Sequence, residues 1–157
     1  MKTMKTFLLS IFILLTTLGM GQKTLTMQEA RTKGLIKELD KTHYTAMNGD
    51  KTQAAFPGKK SEEFLTAYKQ MFYDLANHLD KNGFKFGKAT KCYNRIYFNS
   101  NGTINYYFYS IKPDEIDAAN EAKFKKLLGD FVKTYQLKIT AAVNFYQAGP
   151  VSFTDKE

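Results

Sequence analysis

Few side chains in this sequence are suited to catalysis or metal binding. The chain has one cysteine and two histidines. Cys92 would need a neighbouring base to act as a nucleophile, and His43 and His78 form no closely spaced pair of the kind that binds zinc. We therefore expect Cys92 to be a small core residue and both histidines to lie on the surface. The sequence predicts no metal site and no cofactor.

Sequence motifs of the common catalytic centres are also missing. There is no Gly-x-Ser-x-Gly elbow and no glycine-rich loop that would cradle phosphate. The acidic pairs Glu62/Glu63 and Asp114/Glu115 stand where helices are predicted to begin, and carboxylates are favourable there beside the positive end of the helix dipole. The sequence therefore predicts a protein that is not an enzyme.

Two segments rich in aromatic and β-branched residues, 91–98 and 103–111, predict a β-hairpin around Asn101-Gly102. A two-residue turn would pair Phe98 with polar Asn105. A three-residue loop with a bulge at Gly102 instead pairs Phe98 with Ile104 and Ile96 with Tyr106. We prefer the second register because it gathers apolar residues on one face. That face comprises Cys92, Ile96, Phe98, Ile104, Tyr106 and Phe108.

The opposite face of the hairpin carries the side chains best suited to binding a partner. Tyrosine and arginine combine a large contact area with a polar group and are enriched in binding hot spots. Tyrosine is also common on half-exposed strands that bind nothing, and the sequence favours neither interpretation. The residues of this predicted aromatic face are Tyr93, Arg95, Tyr97, Tyr107 and Tyr109.

Helical periodicity indicates the elements that would support the hairpin. Thr26 and Glu29 have the spacing of a capping box. Ser61 is predicted to cap a long helix whose apolar stripe runs from Phe64 to Leu79, before a glycine C-cap at Asn82-Gly83. A second long helix follows over residues 118–135, and alternating apolar residues from 137 to 146 predict a last strand. We expect an α+β fold with two amphipathic helices on one face of a small antiparallel sheet.

The first 21 residues have the features of a cleavable signal peptide. Lys2 and Lys5 precede an apolar run over residues 7–18, and small residues precede a cleavage site before Gln22. The run is shorter than the roughly 20 residues that span a bilayer. We expect a periplasmic or secreted protein without a stable membrane span. Residues 22–54 would form an N-terminal helix and an irregular segment, in one globular domain with the α+β part at 55–157.

Charge gives little information about the partner. The formal net charge is +8, but lysines are scattered among acidic residues rather than clustered. Together with export, this pattern argues against nucleic acid as a ligand.

Short motifs resemble the C-terminal domain of TonB. They are Ala55-Phe56-Pro57-Gly58 before a helix, and the hairpin turn from Phe98 to Ile104; the resemblance extends over residues 55–153. The chain lacks the uncleaved anchor and the proline-rich spacer of TonB proteins, so the resemblance implies a mode of binding rather than energy transduction. TonB domains capture an extended peptide as an added strand at a sheet edge. The edge implied here is the strand 139–146, through Ile139, Thr140, Ala142, Asn144 and Tyr146.

The sequence thus predicts an exported, non-enzymatic module that binds a protein or an extended peptide in the cell envelope. The alternative is a small-ligand carrier or an enzyme with a pocket between the helices and the sheet. A concave pocket with convergent polar groups would favour the alternative. The number of subunits is not predicted.

Overall fold

The structure, a computed structural model, describes residues 23–155, and the predicted signal peptide lies outside them. The elements in chain order are β1 (Thr24–Thr26), α1 (Met27–Thr32), α2 (Leu35–Asp40), β2 (Tyr44–Thr45), a 3-10 turn (Lys51–Gln53), α3 (Lys60–Lys81), β3 (Thr90–Phe98), β4 (Ile104–Ile111), α4 (Ala118–Thr134) and β5 (Phe145–Phe153).

These elements form an α+β fold, as predicted, around a five-stranded sheet in the order β1-β4-β3-β5-β2. The three long strands are antiparallel to one another, whereas β1 runs parallel to β4 and β2 parallel to β5. The sheet is therefore larger than predicted, and it is mixed rather than antiparallel. The two additional strands have three and two residues, which is too short for the alternation that identifies a strand in a sequence.

The hairpin register is partly as predicted. Phe98 pairs with Ile104, and Gly102 has a positive φ of 88° in the turn. However, Tyr97 pairs with Tyr106, so Asn105 is an extra residue that forms a bulge. The predicted pair of Ile96 with Tyr106 is wrong, because the bulge shifts the register and Ile96 pairs with Tyr107.

The bulge also moves the side chains of β4 that follow it to the opposite face of the sheet from the one predicted. Tyr107 and Tyr109 belong to the core under the long helices, while Tyr106 and Phe108 belong to a smaller cluster on the other side of the sheet. The predicted core positions of Tyr106 and Phe108 are thus wrong, since one inserted residue reverses every later side chain of a strand.

Helices α3 and α4 bury their predicted apolar stripes in the larger core. The C-cap of α3 is confirmed: Asn82 precedes Gly83 at a φ of 65°, and the amide of Phe84 returns to the carbonyl of Leu79 at 3.0 Å. The predicted N-cap is wrong, because α3 begins at Lys60 and Ser61 lies inside its first turn, where the hydroxyl donates to the carbonyl of Gly58 at 2.7 Å.

Short helices α1 and α2 cover part of the other face. The sequence predicted an N-terminal helix but not its position on the sheet. The capping box of Thr26 and Glu29 is confirmed. It turns the chain directly from β1 into α1, so that Leu25, Met27 and Ala30 pack against Tyr97 and Phe108. The long helices therefore cover one face of the sheet, and the short helices cover part of the other.

The last strand begins later than predicted. Residues 137–144 form no strand, and β5 continues through Gly149-Pro150, a dipeptide that usually ends a strand. The amides of Leu137 and Ala141 donate to the carbonyls of Gly102 and Ser100, each at 2.9 Å. The apolar alternation from residue 137 onwards thus reflects an extended segment that packs across the hairpin turn.

Candidate functional site

The outer side of β5 is the most extended uncovered edge of the sheet in residues 23–155. Strand β2 pairs only with Phe145 and Tyr146, and β5 continues to Phe153. The amides of Tyr44 and Ala46 donate to the carbonyls of Asn144 and Tyr146. Even-numbered residues of β5 therefore direct their backbone groups away from β3, because this direction alternates along a strand.

Three residues present such outward groups beyond β2. Ala148 and Ser152 each direct an N–H and a C=O outwards, and Pro150 between them directs only a C=O. The carbonyl of Ala148 accepts a 3.3 Å hydrogen bond from the side-chain amide of Gln147, which a partner strand would share or displace. A proline is tolerated in an edge strand when its missing N–H would have faced solvent. It also limits pairing between identical edges. The sequence therefore fits an edge that is open to a partner but protected against self-association.

The predicted edge 139–146 is not where the open edge lies. Ile139, Thr140 and Ala142 precede β5, outside any strand. Asn144 also precedes it, and its side-chain oxygen accepts a hydrogen bond from the amide of Ser100 at 2.9 Å. Tyr146 does lie on β5, but its backbone pairs with β2. This part of the site prediction is wrong in position, because the segment that packs on the hairpin turn has the apolar alternation of a strand.

The predicted aromatic face is divided by the structure. Tyr93, Arg95 and Tyr97 do point to the same side of β3, opposite Cys92 and Ile96. Tyr107 and Tyr109 lie on the opposite face and are fully buried. The bulge in β4 is the reason, so these two residues form no surface with the other three.

Only Tyr93 of that group is well exposed, at 44%. It pairs with Ser110 on one side and with Pro150 on the other, so on this face of the sheet it is the cross-strand neighbour of Pro150. Ala148, Pro150 and Ser152 were not among the predicted site residues. The signal that could have located them is the apolar spacing of Phe145, Val151 and Phe153, which continues through the proline.

Arg95 and Tyr97 form a network with helix α2. Arg95 donates to Asp40 at 2.6 Å and to the hydroxyl of Tyr97 at 2.7 Å, and Tyr97 donates to Asp40 at 2.8 Å. The guanidinium also lies 4.3 Å from the ring centre of Tyr146. Burial raises the pKa of Tyr97 well above its usual value, so the phenol remains a hydrogen-bond donor. The network fixes the end of α2 above β3 and β5.

His43 follows that network and is buried, so the prediction of a surface position is wrong. Its Nδ1 lies 2.9 Å from the carbonyl of Leu39, and its ring meets Tyr97 edge-on at 5.2 Å. Its Nε2 is buried without a hydrogen-bond partner. Burial lowers the pKa of His43. The imidazole therefore packs as a neutral ring directly before β2.

The remaining candidate side chains, Cys92 and His78, are held by burial or by a hydrogen bond. Cys92 lies in the core as predicted, and burial raises the pKa of its thiol to about 12. His78 is half-buried, with Nε2 3.0 Å from the carbonyl of Leu127. No group of three or more metal-binding side chains comes together within residues 23–155.

Aromatic rings fill the layer between the long helices and the sheet. Phe145 stacks on Phe98 at 5.0 Å and meets Phe56 edge-on at 4.9 Å. The hollow beside Phe84 and Phe153, at the end of α3, has a volume of only about 20 Å³, which is room for about one water molecule.

Of the helices in the described part of the chain, none has the length and apolar character needed to cross a membrane.

The fold and the open strand edge define an α+β domain with a candidate interaction surface. Comparison with protein families, with curated proteins and with solved structures finds no significant match. The candidate site is therefore defined by the geometry of this chain alone.

Proposed function

We propose that this protein is an exported, non-enzymatic module that binds a protein or an extended peptide by adding it as a strand to the outer edge of β5. The observation that carries the proposal is the uncovered edge over residues 147–153, where Ala148 and Ser152 direct both backbone groups outwards. Unpaired strand edges of this kind are templates for β-augmentation.

A partner strand would form main-chain hydrogen bonds on both sides of Pro150. It would accept from the amides of Ala148 and Ser152, and it would donate to the carbonyls of all three outward residues. On one face of the sheet a side chain of the partner would contact Pro150, and a long side chain would reach across Pro150 to Tyr93 on β3. Main-chain bonds would supply the affinity, while Tyr93 would select apolar or aromatic side chains.

The TonB-like motifs support the same mode of binding, since strand addition is what that resemblance implies. The chain order of α3, the β3–β4 hairpin, α4 and β5 is the order that the resemblance leads one to expect. With the signal peptide predicted for residues 1–21, the partner would be a protein of the cell envelope or of the surrounding medium. The alternative, a ligand carrier or an enzyme, has less support because phenylalanine rings occupy the layer where its pocket would lie.

The proposal is tested by a proline at Ala148, which removes one outward donor. Strand β5 already contains Pro150 at an equivalent position, so the variant is expected to fold. The matched control is Ala148→Ser, which retains the amide. Envelope extract is passed over immobilised wild type and both variants, with circular dichroism as a check of folding.

Partners retained by wild type and Ala148→Ser should be lost from Ala148→Pro. A partner that binds all three equally would contradict strand addition at β5. Hydrogen exchange gives a second measurement, because a bound strand should protect the amides of Ala148 and Ser152.

A further inference from the structure

A separate groove lies at the far corner of the sheet, beyond β2. The amide of Ala55 donates to the carbonyl of Thr45 at 2.9 Å, and Ala54 forms a parallel bridge with Thr45. The segment around Ala54 therefore extends the sheet by one short strand. In this arrangement Ala54 directs its own N–H and C=O away from β2, because the residues on either side of it make the bonds to Thr45.

The opposite wall of the groove is the segment that precedes β5. Ile139 and Ala141 pack towards the core, so Thr140 and Ala142 are exposed on the groove side. The ring of Tyr44, which is 46% exposed, lines the groove between these two walls. The groove has a volume of about 560 Å³, which lies within the usual range of ligand sites.

The charge of the groove is of one sign. Lys60 is the one charged residue among those that line it, and it makes no ion pair with a carboxylate of residues 23–155. The remaining lining residues are small or apolar, apart from two threonines and Tyr44. An occupant that matches these walls has small apolar side chains and one negative charge placed to reach Lys60.

We propose that this groove binds the C-terminal end of an extended peptide, with the terminal carboxylate at Lys60 and the peptide backbone along Ala54. A peptide fits better than another small carboxylate because a peptide backbone can pair with both the outward N–H and the outward C=O of Ala54. Capture of a terminal carboxylate is a known mode of peptide recognition. The site is independent of the β5 edge, which lies on the other side of β2.

The probe is the fluorescently labelled peptide Gly-Thr-Ala-Val-Val, as the free acid and as the C-terminal amide, titrated with the purified exported protein and followed by anisotropy. The free acid should bind about three- to fivefold more tightly, as expected for an exposed ion pair. Lys60→Gln should remove this preference and leave the affinity for the amide unchanged. Its matched control, Lys59→Gln, should retain the preference, since Lys59 does not line the groove.

Filling the groove with Ala142→Trp should abolish binding of both peptides, while Ala148→Pro should leave it intact. Equal affinity for acid and amide, absence of saturable binding at millimolar protein, or an equal effect of Lys59→Gln and Lys60→Gln would each overturn the proposal. If Ala142→Trp does not fold, the two lysine variants decide the question.

Discussion

The two outer long strands flank the same central strand, but their outer sides are covered differently. Strand β1 pairs with the middle of β4, at Tyr107, Phe108 and Tyr109. Strand β2 pairs only with the first two residues of β5. One edge is therefore blocked at its centre, while the other remains open over most of its length.

The two covering strands are also anchored by different forces. Strand β1 is anchored mainly by apolar burial, since Leu25 is almost fully buried and packs with Phe108. Strand β2 follows a polar anchor, in which Asp40 accepts hydrogen bonds from Arg95 and Tyr97. Apolar burial gives the larger free energy, so we expect Leu25 to contribute more to the pairing of β1 than the Asp40 network contributes to that of β2, which is also anchored by buried Ala46.

The largest effect is expected at Gly102, over which the chain passes before it enters β5. A Cβ there would lie 2.6 Å from the carbonyl oxygen of Leu137 and 2.9 Å from that of Ile139. Gly102→Ala should therefore lower the free energy of unfolding by about 3 kcal/mol, from the positive φ and the steric overlap together. Urea denaturation measures this loss.

Gly83→Ala is the matched control, because Gly83 also has a positive φ, but a Cβ at this position would have open space within 4 Å. Gly83→Ala should lower the free energy of unfolding by about 1 kcal/mol. Equal losses for the two variants would mean that the segment after α4 does not press on the hairpin turn.

The second prediction compares the two covering strands directly. Leu25→Ala in β1 should lower the free energy of unfolding by about 2–3 kcal/mol, because it leaves a cavity between α1 and the sheet. Tyr44→Ala in β2 should cost less than about 1 kcal/mol, since Tyr44 is half exposed. Chemical denaturation of both variants measures the difference. A larger loss for Tyr44→Ala would reverse the comparison of the two edges.

The long elements were predictable from the sequence because each carries a repeated signal. The stripes of α3 and α4, the hairpin and the capping box at Thr26 follow from periodicity or from a fixed local spacing. The two short strands β1 and β2 were not predictable, because their pairing depends on tertiary contacts. The bulge at Asn105 was missed for the same reason, and it removed Tyr107 and Tyr109 from the predicted aromatic face.

The last strand lies in the C-terminal region, as predicted, but it covers Phe145–Phe153 rather than 139–146. The side chains of Leu137 and Ile139 pack against the core while their backbone passes over Gly102. The resulting alternation of apolar and polar residues is indistinguishable from that of a strand. Gly149-Pro150 is a usual stop signal, yet here the proline lies within an edge strand. Only the position of β2 identifies the even-numbered residues of β5 as the outward ones.

The third prediction concerns the polar anchor before β2. Asp40→Asn removes the charge that Arg95 faces and should lower the free energy of unfolding by about 1 kcal/mol, allowing for partial exposure. Glu38→Gln, which breaks an exposed pair with Lys41, should change it by less than about 0.5 kcal/mol. Faster hydrogen exchange at Ala46, which donates to Tyr146, should appear in Asp40→Asn only. Unchanged hydrogen exchange at Ala46 in Asp40→Asn would mean that this network does not stabilise the pairing of β2 with β5.

The fourth prediction is a pH dependence from His43. Its folded pKa lies below the ordinary value of 6.5, so the unfolded chain takes up the proton first. The stabilisation is complete above about pH 6.5 and is lost as the pH falls from there through the lowered folded pKa. Nearby Asp40 raises the pKa and burial lowers it, while Arg95 and Tyr97 do not titrate in this range.

Urea midpoints between pH 7.5 and 5.5 test this dependence. Wild type should lose stability on acidification, and His43→Phe should lose less. A wild-type slope that persists in His43→Phe would assign the pH dependence to another group.

The smallest effect on stability, and the most informative for function, is expected at Pro150. Pro150→Ala should change the free energy of unfolding by only about 0.5 kcal/mol, the usual effect of losing a compatible proline. It also adds the missing amide between Ala148 and Ser152, so that the edge of β5 presents an unbroken series of donors. Two copies could then pair edge to edge, and sedimentation velocity should detect association at concentrations where wild type associates less.

The double variant with Ala148→Pro removes one donor again and should reverse the association. If Pro150→Ala associates no more than wild type, the edge of β5 is not available to an added strand, and the proposed mode of binding fails with it.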